Sequence, residues 1–123
     1  MTDAAEIIRT YFRAYERKNR QAVEDLLAAD FRFTSPYHDN LDRDSYFARC
    51  WPYSAAVDRV DIGVIAGEGE HWFVRYELEM ASGVRFRNVE FFAIRGGLVE
   101  RIEVYIGDSL SEKPPALDGT PAT

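Results

Sequence analysis

The sequence predicts an α+β domain in which N-terminal helices pack on a strongly curved sheet and enclose an apolar pocket. Three observations carry this. Apolar residues recur at helical spacing up to Pro52, and from Val57 onward the period changes to two. The stretch Val84 to Gly107, VRFRNVEFFAIRGGLVERIEVYIG, then sets two runs of β-branched and aromatic residues around Gly96-Gly97, the signature of a tight hairpin. Helices first and antiparallel strands after is an α+β order of elements.

Asp3 to about Lys18 reads as a helix. Ile7, Ile8, Tyr11, Phe12 and Tyr15 form one apolar stripe, and Thr2 or Asp3 can cap its start. Asn19 breaks it and caps a second helix over about Arg20 to Ala29, with Ala22, Val23, Leu26 and Leu27 on one face. Phe31 to Thr34 is a short strand ended by Ser35-Pro36, and Tyr37 to Asn40 a polar loop with one ring. Asp42 or Asp44 begins a third helix with Tyr46, Phe47, Cys50 and Trp51 on one face, stopped by Pro52.

Strands follow. Val57 to Ala66 sets Asp58, Val60, Ile62 and Val64 against Val57, Arg59, Asp61, Gly63 and Ile65. His71 to Met80 puts Trp72, Val74, Tyr76, Leu78 and Met80 on one face, and Ala81-Ser-Gly83 turns the chain into the central strand. If Met80 pairs with Val84, Tyr76 stands opposite Asn88 and Val74 opposite Glu90. In the last strand, about Leu98 to Ile106, Ile102, Val104 and Ile106 alternate with Glu103 and Tyr105. Residues 1–110 are expected to form one domain and 111–123 a flexible tail with little to bury.

On the central strand, Phe86, Asn88, Glu90 and Phe92 share one face because strand side chains alternate. An acid between two phenylalanines on an inward face marks a polar point inside an apolar cavity. The opposite face carries Phe73, Val89, Phe91 and Tyr105, too apolar for solvent, so a homodimer through this outer sheet face is expected.

The bulk properties exclude several classes. Net charge is −6 and the isoelectric point about 4.9, so no nucleic-acid partner is expected. No apolar run approaches the length of a membrane helix and no leader is visible, so a cytoplasmic protein without a membrane partner is expected. The single cysteine, Cys50, cannot form an internal disulfide and reads as a buried inert thiol. No Cys/His cluster has metal-site spacing, so neither metal nor cofactor is expected.

The segments YFRAYERKN (from Tyr11), AVEDLLAADFRFTSP (from Ala22) and NVEFFAIRGGLVERIEVYIGD (from Asn88) resemble the NTF2-like superfamily and its SnoaL-like branch. The resemblance spans about residues 5–108. It implies a cystatin-like α+β cone with a curved antiparallel or mixed sheet around one apolar pocket, usually dimeric. It also implies a choice among ketosteroid isomerases, polyketide cyclases, dehydratases, epoxide hydrolases and plain binding modules, since a shared fold does not carry the chemistry with it. On the isomerase pattern Tyr11 falls at the oxyanion-hole tyrosine. Glu90 falls at the acid that an apolar site keeps neutral. The general-base aspartate is replaced by Ser35, which argues against steroid isomerisation.

Glu90 is therefore the first catalytic candidate, its pKa raised by desolvation so that it exchanges a proton near neutrality. Alternatively it is a structural acid paired with an arginine or a tyrosine. Tyr11 either donates to a ligand oxygen or is a core ring satisfied by Glu90. His38, beside Asp39, is a possible second base at the pocket mouth or part of a solvated turn. Asn88 and Tyr76 either orient a ligand or bond each other across the strands. Tyr15, Phe33, Ser35, Tyr37, Trp51, Trp72 and Phe92 complete the expected lining of a site for a small apolar or polyketide-like molecule. The expected chemistry is cofactor-free isomerisation, cyclisation, dehydration or hydrolysis; the alternative is a non-catalytic binding or dimerisation module.

Overall fold

Asp3 caps the first helix, α1 (Ala4–Arg17), by accepting a hydrogen bond from the Ala5 N–H. Lys18 closes it in the left-handed conformation, φ 57°, donating its N–H to the carbonyls of Ala14 and Tyr15. The chain then starts α2 (Arg20–Leu26) under an Asn19 cap and α3 (Arg43–Arg49) under an Asp42 cap. The structure is a computed structural model and describes residues 3–110. The expected tail, 111–123, and the alternative cap Thr2 lie outside the described residues.

Six strands form one open sheet: β1 (Leu27–Ser35), β2 (His38–Asp42), β3 (Val57–Glu68), β4 (His71–Met80), β5 (Arg85–Arg95) and β6 (Leu98–Ser109). Their order is β2-β1-β6-β5-β4-β3. All neighbours are antiparallel except β1 and β6, which run parallel, so the sheet is mixed and curved rather than closed.

Three expectations are corrected. The second helix stops at Leu26, because Leu27 leaves it to pair with Val99 of β6 and bury its side chain. Ladder pairing and burial outweigh the helical preference of Leu-Ala-Ala, which is among the strongest but amounts to only tenths of a kcal/mol per residue. The polar loop at 37–40 is partly strand: β2 folds back on β1 with Ser35 opposite His38, a short edge strand whose polar composition hid it. Pro52 does not simply stop the third helix; it sits at the start of a 3₁₀ turn, Trp51–Ala56, where its missing N–H costs nothing.

The face assignment in β3 is also corrected. Register shifts between Val57 and Arg59 and between Ile62 and Val64 insert an extra residue each. Each insertion exchanges the two faces. Val57, Val60, Ile62 and Ile65 thus all turn inward, opposite Met80, Leu78, Tyr76 and Val74, while Val64 is left 49% exposed. The β4–β5 register is the one read from the sequence, with Tyr76 opposite Asn88 and Val74 opposite Glu90.

The core lies between α1, α3 and the concave sheet face. Ile7, Ile8, Phe31, Phe92, Val99 and Ile102 are its buried centre. Two polar contacts pin α1 to β3: Lys18 Nζ donates to the Val57 carbonyl, and Val60 N–H donates to Glu16 Oε2 at 2.9 Å. Beyond this packed end, the helices and the sheet stand apart.

Candidate functional site

A cavity of about 430 Å³ opens where they separate, within the range of small-molecule sites. Helix α1 supplies Tyr11, Phe12 and Tyr15. The far ends of β4, β5 and β6 supply an aliphatic and aromatic wall of Leu78, Met80, Phe86, Val104 and Ile106. Ser35, Tyr37 and His38 from the β1–β2 hairpin and Tyr53 from the 3₁₀ turn complete the lining, with Tyr37 and Tyr53 largely exposed at the mouth.

Tyr76, Asn88 and Glu90 are the polar residues that β4 and β5 contribute to this cavity, and all three are buried. Their hydrogen bonds run in one direction. The Gly107 N–H donates to Asn88 Oδ1 at 3.1 Å, which turns the amide so that Nδ2 donates to the Tyr76 oxygen at 3.2 Å. Tyr76 in turn donates its hydroxyl proton to Glu90 Oε1 at 2.5 Å. Gly107 is needed at the start of this chain, because a Cβ there would stand 2.1 Å from the Arg87 carbonyl oxygen.

Glu90 Oε1 is therefore committed as an acceptor. Among the described residues Oε2 has no protein partner, and no arginine or lysine pairs with the carboxyl. Among the described residues the fully occluded side-chain polar atom left without a partner is Arg43 Nε, so Oε2 keeps access to the cavity that Glu90 lines. Burial raises the Glu90 pKa from its ordinary 4.5 to about 7, and the Tyr76 hydrogen bond opposes the rise. When the acid is protonated, its proton sits on Oε2.

Tyr11 does not bond Glu90. Its hydroxyl lies 2.7 Å from that of Tyr46, and the Tyr15 hydroxyl bonds Tyr46 as well. Three hydroxyls joined by these two contacts hold three protons, so one O–H is not used in them and can turn to the remaining pair, Tyr11 with Tyr15, or to the cavity. Tyr46 is fully buried among Phe31, Phe33 and Phe47 and does not line the cavity. The spare donor then belongs to Tyr11 or Tyr15, both of which do. Burial is the first cause that raises the pKa of each triad tyrosine, so all three stay protonated.

Of the residues expected in the site, Tyr11, Tyr15, Phe33, Ser35, Tyr37, His38, Tyr76, Asn88 and Glu90 line the cavity. Trp51, Trp72 and Phe92 do not. Phe92 is wholly buried behind the floor, 5.4 Å edge-on to the Tyr11 ring, and Trp51 packs behind Tyr15 at 4.8 Å. Trp72 stands towards the other end of β4, with its indole N–H donating to the Gly69 carbonyl at 2.9 Å. His38 and Asp39 make no pair with each other; Asp39 accepts from Thr34 Oγ1 at 3.4 Å.

Sequence reasoning missed the role of Tyr46. It was legible as a core position of α3, but nothing local announces that its hydroxyl meets two others from α1. Cys50 also lines the cavity, half-buried, and burial pushes its thiol pKa up to about 11. Among the described residues no cluster of His, Cys, Asp and Glu could hold a metal ion, and no helix is long and apolar enough to cross a membrane.

The fold recurs in solved structures of low sequence similarity. An NTF-2 like protein of unknown function from Burkholderia xenovorans superposes with a TM-score of 0.76 at 21% identity, over 89% of this chain and 86% of that one. A proposed polyketide cyclase of Streptomyces antibioticus gives 0.74 at 15% identity, over 85% and 92%. A proposed ketosteroid isomerase of Kribbella flavida gives 0.69 at 22%, over 89% and 81%. At these identities the likeness is one of fold. A comparison with curated proteins finds no match. The SnoaL-like domain family matches residues 8–102, most of the chain, and the protein belongs to that family.

Proposed function

We propose that the protein binds a small, largely apolar molecule in the cavity and exchanges a proton with it through Glu90 Oε2. The observation that carries this reading is the arrangement of one carboxyl. Its Oε1 is fixed by Tyr76, its Oε2 opens on an apolar cavity, and its pKa is raised to about 7 by burial. Of the two pairings expected of a structural acid, the arginine is absent among the described residues, and the tyrosine, Tyr76, occupies Oε1 alone. The spare hydroxyl of the Tyr11–Tyr15–Tyr46 triad is a second polar anchor for a ligand oxygen. Isomerisation, aldol-type cyclisation and dehydration are reactions that such an acid/base supports without a cofactor.

The test is Glu90→Gln in an activity screen over small ketones, enones and hydroxy ketones. An active wild type whose turnover falls roughly 10²-fold in the variant supports the reading, that being the scale of acid–base assistance. Equal turnover in both proteins removes Glu90 from the chemistry. One observation favours plain binding instead: the position at which the resemblance puts a general base holds Ser35, and among the described residues Glu90 has no second carboxylate in the lining.

The outer sheet face belongs to the same proposal. Phe73 and Tyr105 are 49% and 56% exposed, and the Phe73 and Phe91 rings lie 5.2 Å apart. A second copy covering this face would remove a contiguous apolar patch from water.

A further inference from the structure

We propose that the molecule this cavity takes is a small organic cation, an apolar or aromatic amine whose ammonium binds Glu90 Oε2 among the rings of Tyr11, Phe12 and Tyr15. The inference rests on the reading of the cavity as a ligand site and names the charge of the ligand. It starts from what surrounds Glu90. From α1 it faces Tyr11 and Tyr15, from α3 Tyr46, and from β4 Tyr76, all neutral phenols whose own pKa values its charge helps to raise. The remaining titratable groups in the lining are Cys50, with its raised thiol pKa, and His38 and the exposed phenols of Tyr37 and Tyr53 on the mouth side. Among the described residues no arginine or lysine lines the cavity.

A buried carboxylate is costly unless a positive partner is supplied. Here the fold withholds that partner and keeps the group an acceptor. The Tyr76 oxygen accepts from Asn88 and its hydroxyl donates to Glu90 Oε1 over 2.5 Å, a donor–acceptor distance typical of a hydrogen bond to a charged oxygen. Oε2 then presents a lone pair and a negative charge to a space walled by aromatic rings. Rings attract cations through their quadrupole. The same arrangement repels carboxylates and phosphates, and a neutral ligand is met by the protonated acid rather than by the charge.

Three probes that share one body and differ in the charge of the head decide the matter: naphthylmethylamine, naphthylmethanol and naphthoate. Calorimetric titration at about pH 6 and about pH 8 is applied to the full chain and to Glu90→Gln. With a carboxyl pKa of about 7, the ionised fraction rises roughly tenfold over this interval while the amine stays protonated. The amine should bind most tightly, gain roughly that factor with pH, and lose at least about tenfold in Glu90→Gln; naphthoate should not bind. The wild-type pH dependence needs no variant, so poor folding of Glu90→Gln would not spare the proposal. Tighter binding of the alcohol than of the amine, or an amine affinity indifferent to pH, overturns the cation and leaves the ligand site standing. Failure of all three probes to bind overturns both.

Discussion

The Tyr76 hydroxyl donates to Glu90 Oε1 over 2.5 Å, between two residues that sit on adjacent strands and face the same cavity. The contact divides the carboxyl into two atoms with different duties. Oε1 is held by the protein, and among the described residues Oε2 has no protein partner. The direction of the bond is set four atoms away, by a backbone N–H at Gly107 that orients the Asn88 amide.

Stability should fall as pH rises through the titration of Glu90. The folded protein holds the proton up to about 7, whereas an unfolded glutamate releases it near 4.5. The folded state therefore binds more protons between these values. The stabilisation is fully present below 4.5, declines as pH rises to 7 and is flat above it, a loss on the order of 3 kcal/mol. Urea unfolding of wild type and Glu90→Gln across this range checks it: the variant should lack the decline. Parallel curves would mean that the carboxyl titrates normally.

Tyr46→Phe removes the shared partner of Tyr11 and Tyr15 and leaves two buried hydroxyls to find others. A loss of about 1–3 kcal/mol is expected, the cost of stranding a buried polar group. Denaturant unfolding measures it. In a double-mutant cycle with Tyr11→Phe the losses should be clearly less than additive, because the two hydroxyls share one bond. Additive losses would contradict the triad.

Cys50 should react slowly with iodoacetamide at neutral pH, because burial holds its thiol pKa near 11. The rate should climb about tenfold per pH unit below that value, as the thiolate fraction does. A molecule seated in the cavity should block it, since the thiol lines the same space. Fast labelling that no cavity ligand slows would place the thiol outside the pocket.

The outer face gives a fourth expectation. Light scattering after size-exclusion chromatography should report a dimer at roughly tens of micromolar, and Phe73→Lys with Phe91→Lys should yield monomer. A monomeric wild type ends the proposal for this face.

Much of the fold was legible because its signals are local. Helical spacing in Ile7 to Tyr15, alternation in β4 and β5 and the Gly96-Gly97 turn each lie within a few residues. Once Met80 is paired to Val84, the register of Tyr76 against Asn88 follows by counting. What was not legible depends on partners distant in sequence. Leu27 belongs to β1 only because Val99 waits beside it, and β2 is a strand only because β1 offers an edge. The insertions in β3 exchange its faces without any change in composition, so Val64 and Ile65 were assigned to the wrong sides. The site divides the same way. Glu90 announced itself as an acid on an apolar face. Tyr46 did not, because its role depends on two hydroxyls that α1 brings from more than thirty residues away. Trp51 and Trp72 were assigned to the lining as large rings and Phe92 for sharing the Glu90 face, when Trp51 and Phe92 support the wall from behind and Trp72 stands away from it.

The central claim is that Glu90 is a proton-exchanging carboxyl open to the cavity, and its own titration tests this most directly. Carboxyl-carbon NMR on labelled protein, assigned by comparison with Glu90→Gln, follows this one group through the pH range. A midpoint of about 7 is the result expected from its burial and its single hydrogen bond, displaced when a ligand fills the cavity. A midpoint at the ordinary 4.5, unmoved by any cavity ligand, would contradict the account.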